Sequence, residues 1–230
     1  MLKQTVIEKV KQYRQGIKTV HELYQELKDD KDLQPISDTA GLPIELMNKF
    51  GLGGFNCEEL YELPNAVATR AGLIHLLEEF LTDRLTISEI NDWGENHVTW
   101  EIGTKTEDET VDLIAGNIIA QCDVEPENYF TKDIVAKLVE LLKLDTDRIK
   151  EKAAVHLAFP RSYKSFCYYT ADFKQGKHTK EEYEKYIEEK FWIKPTEFPY
   201  WTEIELCGNT LADTTELAEK ILICKAGVFR

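Results

Sequence analysis

"FKQGKHTKEEY" (residues 173–183) sets an aromatic side chain before a short glycine-containing turn, with threonine six positions after the aromatic and glutamate three further on. The same steps recur in "YRQGIKTVHE" (13–22), from Tyr13 to Thr19 and Glu22, and in "FLTDRLTISE" (80–89), from Phe80 to Thr86 and Glu89, where aspartate stands in the turn. Thr-x-x-Glu is the signature of a capping box. The threonine hydroxyl accepts the backbone N–H three residues on, and the glutamate returns to the threonine N–H, so two orphan donors of a helix N-terminus are satisfied. An aromatic residue six positions upstream falls on the last turn of the preceding helix and packs inward. Each copy therefore reads as an antiparallel helical hairpin with a short connection. The copies are separated by 67 and 93 residues, which is not the fixed period of a solenoid.

The flanking segments agree. Val6, Ile7, Val10 and Tyr13 share one face of a helix over residues 2–14, and Leu23, Tyr24 and Leu27 continue the stripe after Thr19. Leu73, Leu76, Leu77 and Phe80 do the same before the second turn, and Ile90 and Trp93 after it. Tyr183, Tyr186, Ile187 and Phe191 follow Thr179. Thr106-x-x-Glu109 is a fourth candidate box, and further helices are expected over 130–142, 146–158 and 214–224, with Pro126 and Pro160 in the connections. Residues 35–66, with three prolines and four glycines, suggest loops around short helices. "HVTWEIG" (97–103) alternates as a strand would, and "KPTEFPYWTEIELCGNT" (194–210) has two prolines and no helical period, so extended structure is expected there. The fold class expected is mainly α: antiparallel hairpins in one globular domain over residues 1–230, with room for a short β element. A separate N-terminal lobe over 1–62 beside a main body over 63–230 stays open.

Composition narrows the function. No run of eighteen apolar residues exists, so no membrane helix is expected, and the first sixteen residues lack the apolar core of a secretory signal. Five scattered cysteines without a CxxC pair fit free thiols in the cytoplasm. The net charge of −14 is concentrated: residues 78–127 carry fourteen Asp and Glu against Arg84 and Lys105, a net −12. Direct nucleic-acid binding needs clustered Lys and Arg and is not expected; a basic partner is.

Motifs for chemistry are weak. "GLGGF" (51–55) lacks the Lys-Ser/Thr of a phosphate loop and reads as turn glycines. His75 and Glu78 have the reverse order of the Glu-x-x-His metal motif and no second copy, so no metal or other cofactor is expected. Cys167 sits among aromatics, with no glycine turn or helix start to lower its pKa, so a nucleophilic pair with His156 is not favoured. The acidic segment carries the reading instead. Asp92, Glu95, Glu101, Glu107, Asp108, Glu109 and Asp112, with Trp93 and Trp100 as aromatic anchors, form the expected partner-binding surface, the charges steering a basic protein and the rings supplying affinity.

The hairpin pattern, best carried by "FKQGKHTKEEYEKY" and "YRQGIKTVHELY", resembles that of small helical bacterial immunity proteins of the colicin and polymorphic-toxin type. That resemblance implies a cytoplasmic, non-enzymatic protein that binds and blocks a basic toxin or nuclease domain; this chain is longer than such proteins are. Two rivals remain: an enzyme with a site assembled from residues such as His75, His97 or Cys167, and an acidic mimic of nucleic acid.

Overall fold

A computed structural model describes residues 4–27, 66–95, 105–126, 130–144 and 146–222. Among these the elements run α1 (Gln4–Arg14), α2 (Val20–Leu27), β1 (Val67–Ala68), α3 (Arg70–Leu81), α4 (Ile87–Glu95), β2 (Lys105–Thr106) and α5 (Glu109–Asp112). A π-helical stretch (Leu113–Ile118) and a 3-10 turn (Ile119–Gln121) continue α5. Then come α6 (Lys132–Lys143), α7 (Arg148–Leu157), α8 (Pro160–Lys174), α9 (Lys180–Phe191), a 3-10 turn (Pro195–Glu197), α10 (Trp201–Leu206) and α11 (Leu211–Leu222). The fold is mainly α; among the described residues a two-stranded parallel sheet pairs Val67 with Lys105 and Ala68 with Thr106. The chain divides into two compact units, Met1–Val135 and Ala136–Arg230.

The three quoted stretches are three copies of one hairpin turn, α1–α2, α3–α4 and α8–α9. In each, the residue three after the aromatic takes a left-handed backbone: Gly16 at φ 79°, Asp83 at φ 60°, Gly176 at φ 74°. Its N–H bonds the aromatic residue's carbonyl, at 2.9 Å to Tyr13, 3.1 Å to Phe80 and 2.9 Å to Phe173. The next N–H reaches five residues back, from Ile17 to Gln12, Arg84 to Glu79 and Lys177 to Asp172. This is the Schellman ending, and it explains the glycines; aspartate is among the few other residues that tolerate the left-handed region. The capping box then opens the second helix. Thr19, Thr86 and Thr179 each donate N–H to Glu22, Glu89 and Glu182 at 2.8 Å, and each hydroxyl accepts the glutamate N–H at 3.2–3.3 Å. One turn later, Leu23, Ile90 and Tyr183 are wholly buried. Capping residue and core residue are four apart, so the box fixes which face of the second helix turns inward.

The fourth candidate box does not form. Asp108 caps α5 instead, its Oδ1 accepting from Thr110 and Val111 at 2.9 and 3.0 Å, while Thr106 lies in β2 and directs its hydroxyl to Asp112. Asp108 is one residue before the helix, where a capping side chain must stand. A box missed in the sequence opens α11: Thr210 and Asp213 exchange the same two bonds at 2.9 and 3.2 Å, aspartate replacing glutamate. The expectation of extended structure over 194–210 is also corrected. The prolines stand in a 3-10 turn and before α10, where their missing N–H is harmless. Ile204 is buried, whereas Leu206 on another face of α10 is 81% exposed. The expected strand at 97–103 and the loops at 35–65 lie outside the described residues; the sheet that is described lies elsewhere.

In the first unit the end of α1 abuts the start of α3. The Gln15 carbonyl accepts the Thr69 N–H at 3.2 Å, and a Cβ built on Gly72 would lie 2.1 Å from that oxygen. Farther along, α4 crosses the segment after the π-helix at Gly94, where a Cβ would meet Ile119 Cγ2 at 2.6 Å. Asn91, buried beside it, donates to the Ile119 carbonyl at 3.1 Å. In the second unit α7, α8, α9 and α11 pack on one another. The Thr170 and Tyr183 hydroxyls share a buried 2.6 Å hydrogen bond there, and Tyr183 stacks on Phe173 with ring centroids 4.4 Å apart. The aromatic of the turn motif thus packs on the residue that its own capping box directs inward.

Candidate acidic binding surface

The residues expected to form the binding surface separate into four groups. Trp93 is not a surface anchor: it is 1% exposed, and its indole N–H donates to the Tyr13 carbonyl at 3.0 Å, tying α4 to the end of α1. Its place one turn after Ile90 on the inward face of α4 accounts for this. Glu107 and Asp108 are engaged in holding the fold. Glu107 accepts the Arg70 N–H at the start of α3 (2.6 Å), while Asp108 Oδ2 receives the Arg70 guanidinium at 2.8 and 3.3 Å. With the Glu107 N–H on the Ala68 carbonyl, these bonds extend the small sheet into the starts of α3 and α5. Trp100 and Glu101, like His97, lie outside the described residues.

The remaining carboxylates are Asp92, Glu95, Glu109 and Asp112. Glu109 is exposed and Asp112 half-buried, both on α5, where an acidic group suits the positive end of the helix dipole. Asp92 and Glu95 differ. They stand in the last turn of α4, which has no basic residue, so the dipole opposes them. Asp92 is half-buried, and its carboxyl is pushed up to about 6, first by burial and then by the fields of Glu95, Glu89 and Asp123. These four carboxylates share one region of the first unit. Glu89 was legible as a neighbour of Asp92, since i and i+3 share a helix face. Asp123 was not, because it reaches the group only through the fold.

A folded carboxyl titrating near 6, against 3.8 for the ordinary group, binds its proton more readily than the unfolded chain does. The first unit therefore gains stability as pH falls from about 6 towards 3.8, and the ionised group weighs against folding at pH 7. Asp92→Asn should raise the melting temperature at pH 7 and flatten its pH dependence across this window. Melting curves of the two proteins at pH 7, 5 and 4 check it; an unchanged or lower melting temperature for the variant at pH 7 contradicts the placement.

The capping-box glutamates also meet histidines. His21 Nε2 lies 2.9 Å from Glu89, and His75 lies 3.9 Å from Glu22 and 4.0 Å from Glu79. Among the described residues no three His, Cys, Asp or Glu side chains converge as a metal-holding group would. The Cys167 thiol is raised by burial and lies 3.9 Å from the Thr214 carbonyl. His156 meets Phe191 and Trp192 edge-on, both with ring centroids 5.6 Å away, and burial, reinforced by Lys152 and Lys190, lowers it to about 4. Held protonated, such a thiol is a poor nucleophile.

Searches of protein-family models, curated proteins and solved structures find no match to this chain. Among the described residues, no helix is long and apolar enough to cross a membrane.

Proposed function

We propose that this chain is a non-enzymatic protein-binding module whose acidic surface, centred on the end of α4, takes a basic protein partner in the manner of an immunity-type inhibitor of a toxin or nuclease. The observation that carries the reading is the position of Asp92 and Glu95. Both stand at the helix end where the dipole disfavours them, and Asp92 also lies in the fields of Glu95, Glu89 and Asp123; a cationic partner relieves both terms at once. The working surface is Asp92, Glu95 and Asp123, with Glu109 and Asp112 on α5 as further candidates; Glu89, which closes the Thr86 capping box and meets His21, acts like Trp93, Glu107 and Asp108 by holding the fold. The reading also assigns the chain to the cytoplasm, and the free Cys122, Cys167 and Cys207 among the described residues suit a reducing compartment.

The test begins with capture from host lysate on the tagged full-length chain, washed at low and then high salt, with retained proteins identified by mass spectrometry. A single basic partner, lost at high salt, is the expected result. Glu95→Lys with Asp123→Lys should then slow association on the order of tenfold at low salt while the circular dichroism persists and the melting temperature does not fall, since both changes relieve the field on Asp92. Unchanged association kinetics would remove this surface from consideration.

A further inference from the structure

The second unit contains a groove of about 300 Å³ between the end of α6, the α7–α8 corner and α11. This volume is at the lower end of small-molecule sites, which combine an apolar lining with a few polar groups that orient the ligand. Leu141, Leu157 and Leu222 are buried in its floor, joined by Leu144, Ala158 and Pro160. The polar lining comes from opposite walls: Lys137 and Glu140 on α6, Tyr163 on α8 and Glu219 on α11. The Tyr163 hydroxyl donates to Glu219 at 3.5 Å, a long contact that leaves the carboxylate room for a stronger donor. Burial and the neighbouring Cys167 and Glu219 push this phenol up to about 12, so it stays neutral and its oxygen can accept.

The lining is thus rich in acceptors. Two carboxylates and a phenol oxygen face a single ammonium, a net charge of −1. We propose that this groove binds a small organic monocation, an alkyl- or arylammonium whose apolar body lies on the leucine floor and whose ammonium is held by Glu219, Tyr163 and Glu140. A protonated primary amine has three donors to match those acceptors. A carboxylate ligand would find one favourable charge and two opposing ones. This site is separate from the acidic end of α4 and does not depend on it.

The probe is n-hexylammonium, compared with hexanol and hexanoate, which keep the chain and change only the head group. Titrations of the full-length protein are followed at the methyl resonances of Leu141, Leu157 and Leu222. Hexylammonium should shift these methyls saturably in roughly the millimolar range expected of so small a ligand. It should bind about fivefold more tightly than hexanol, and hexanoate should bind least. Glu219→Gln should weaken hexylammonium roughly threefold or more, whereas Lys137→Met should strengthen it. Both side chains are exposed, so an unchanged melting curve certifies the fold of each variant. Hexanoate binding as tightly as the amine, or no saturable shift with any probe, overturns the proposal.

Discussion

Trp93→Ala is expected to destabilise the protein by about 3–5 kcal/mol, the loss typical of removing a fully buried large aromatic side chain. Trp93 is among the largest wholly buried side chains, and it joins the two first hairpins through the Tyr13 carbonyl. Trp93→Phe should be milder, about 1–2 kcal/mol, because a ring remains in the core and the Tyr13 carbonyl keeps the Gly16 N–H. Equilibrium urea denaturation of the three proteins, followed by circular dichroism, measures the difference. An exposed tryptophan acting as a partner anchor would behave in the opposite way: truncation would hardly change stability and would abolish binding. A change below about 1 kcal/mol for Trp93→Ala would return this residue to the surface.

Gly72→Ala has the second large expected effect, and here the sign alone decides. Alanine is favoured over glycine in a helix by about 1 kcal/mol, so propensity predicts a more stable protein. Packing predicts a less stable one, by roughly 3 kcal/mol or a fall of about 6–12 °C in melting temperature. The added Cβ would lie 2.1 Å from the Gln15 carbonyl oxygen and 2.9 Å from the Gly16 carbonyl carbon. Both are backbone atoms, so no rotamer change can make room; α1 must part from α3. The same crowding breaks the 3.2 Å bond from the Thr69 N–H to Gln15. Gly176→Ala is the control. At φ 74° with nothing within 4 Å of its Cβ, it carries only the left-handed strain, about 1–2 kcal/mol. Thermal melts that rank Gly72→Ala above Gly176→Ala in cost support the close approach, and a stabilised Gly72→Ala protein refutes it.

The hairpins were legible because their information is local. An aromatic residue, a left-handed residue at the third position, threonine at the sixth and glutamate at the ninth specify one helix end, one turn and one helix start. Every hydrogen bond involved spans five residues or fewer. Helical period likewise marked Leu23, Leu73, Ile90 and Tyr183 as core. Thr106-x-x-Glu109 has the letters of a box and fails, since pairing of residues 105–106 with 67–68 holds Thr106 extended and gives the cap to Asp108. Period failed in a second way over 201–206, where a six-residue helix is too short to display one.

What the sequence by itself determined is a mainly helical chain built on a repeated capped hairpin, and a net −12 confined to residues 78–127. Only the tertiary structure decided how those charges are used. Arg70 takes Asp108 across 38 residues of chain, Trp93 turns inward to a carbonyl 80 residues away, and Asp123 comes into the field of Asp92. Charge density is a sum over a segment and can be read from letters. Whether one carboxylate caps a helix, pairs with a guanidinium or faces a partner depends on distances of a few ångströms between residues far apart in the chain, and those exist only once the chain has folded.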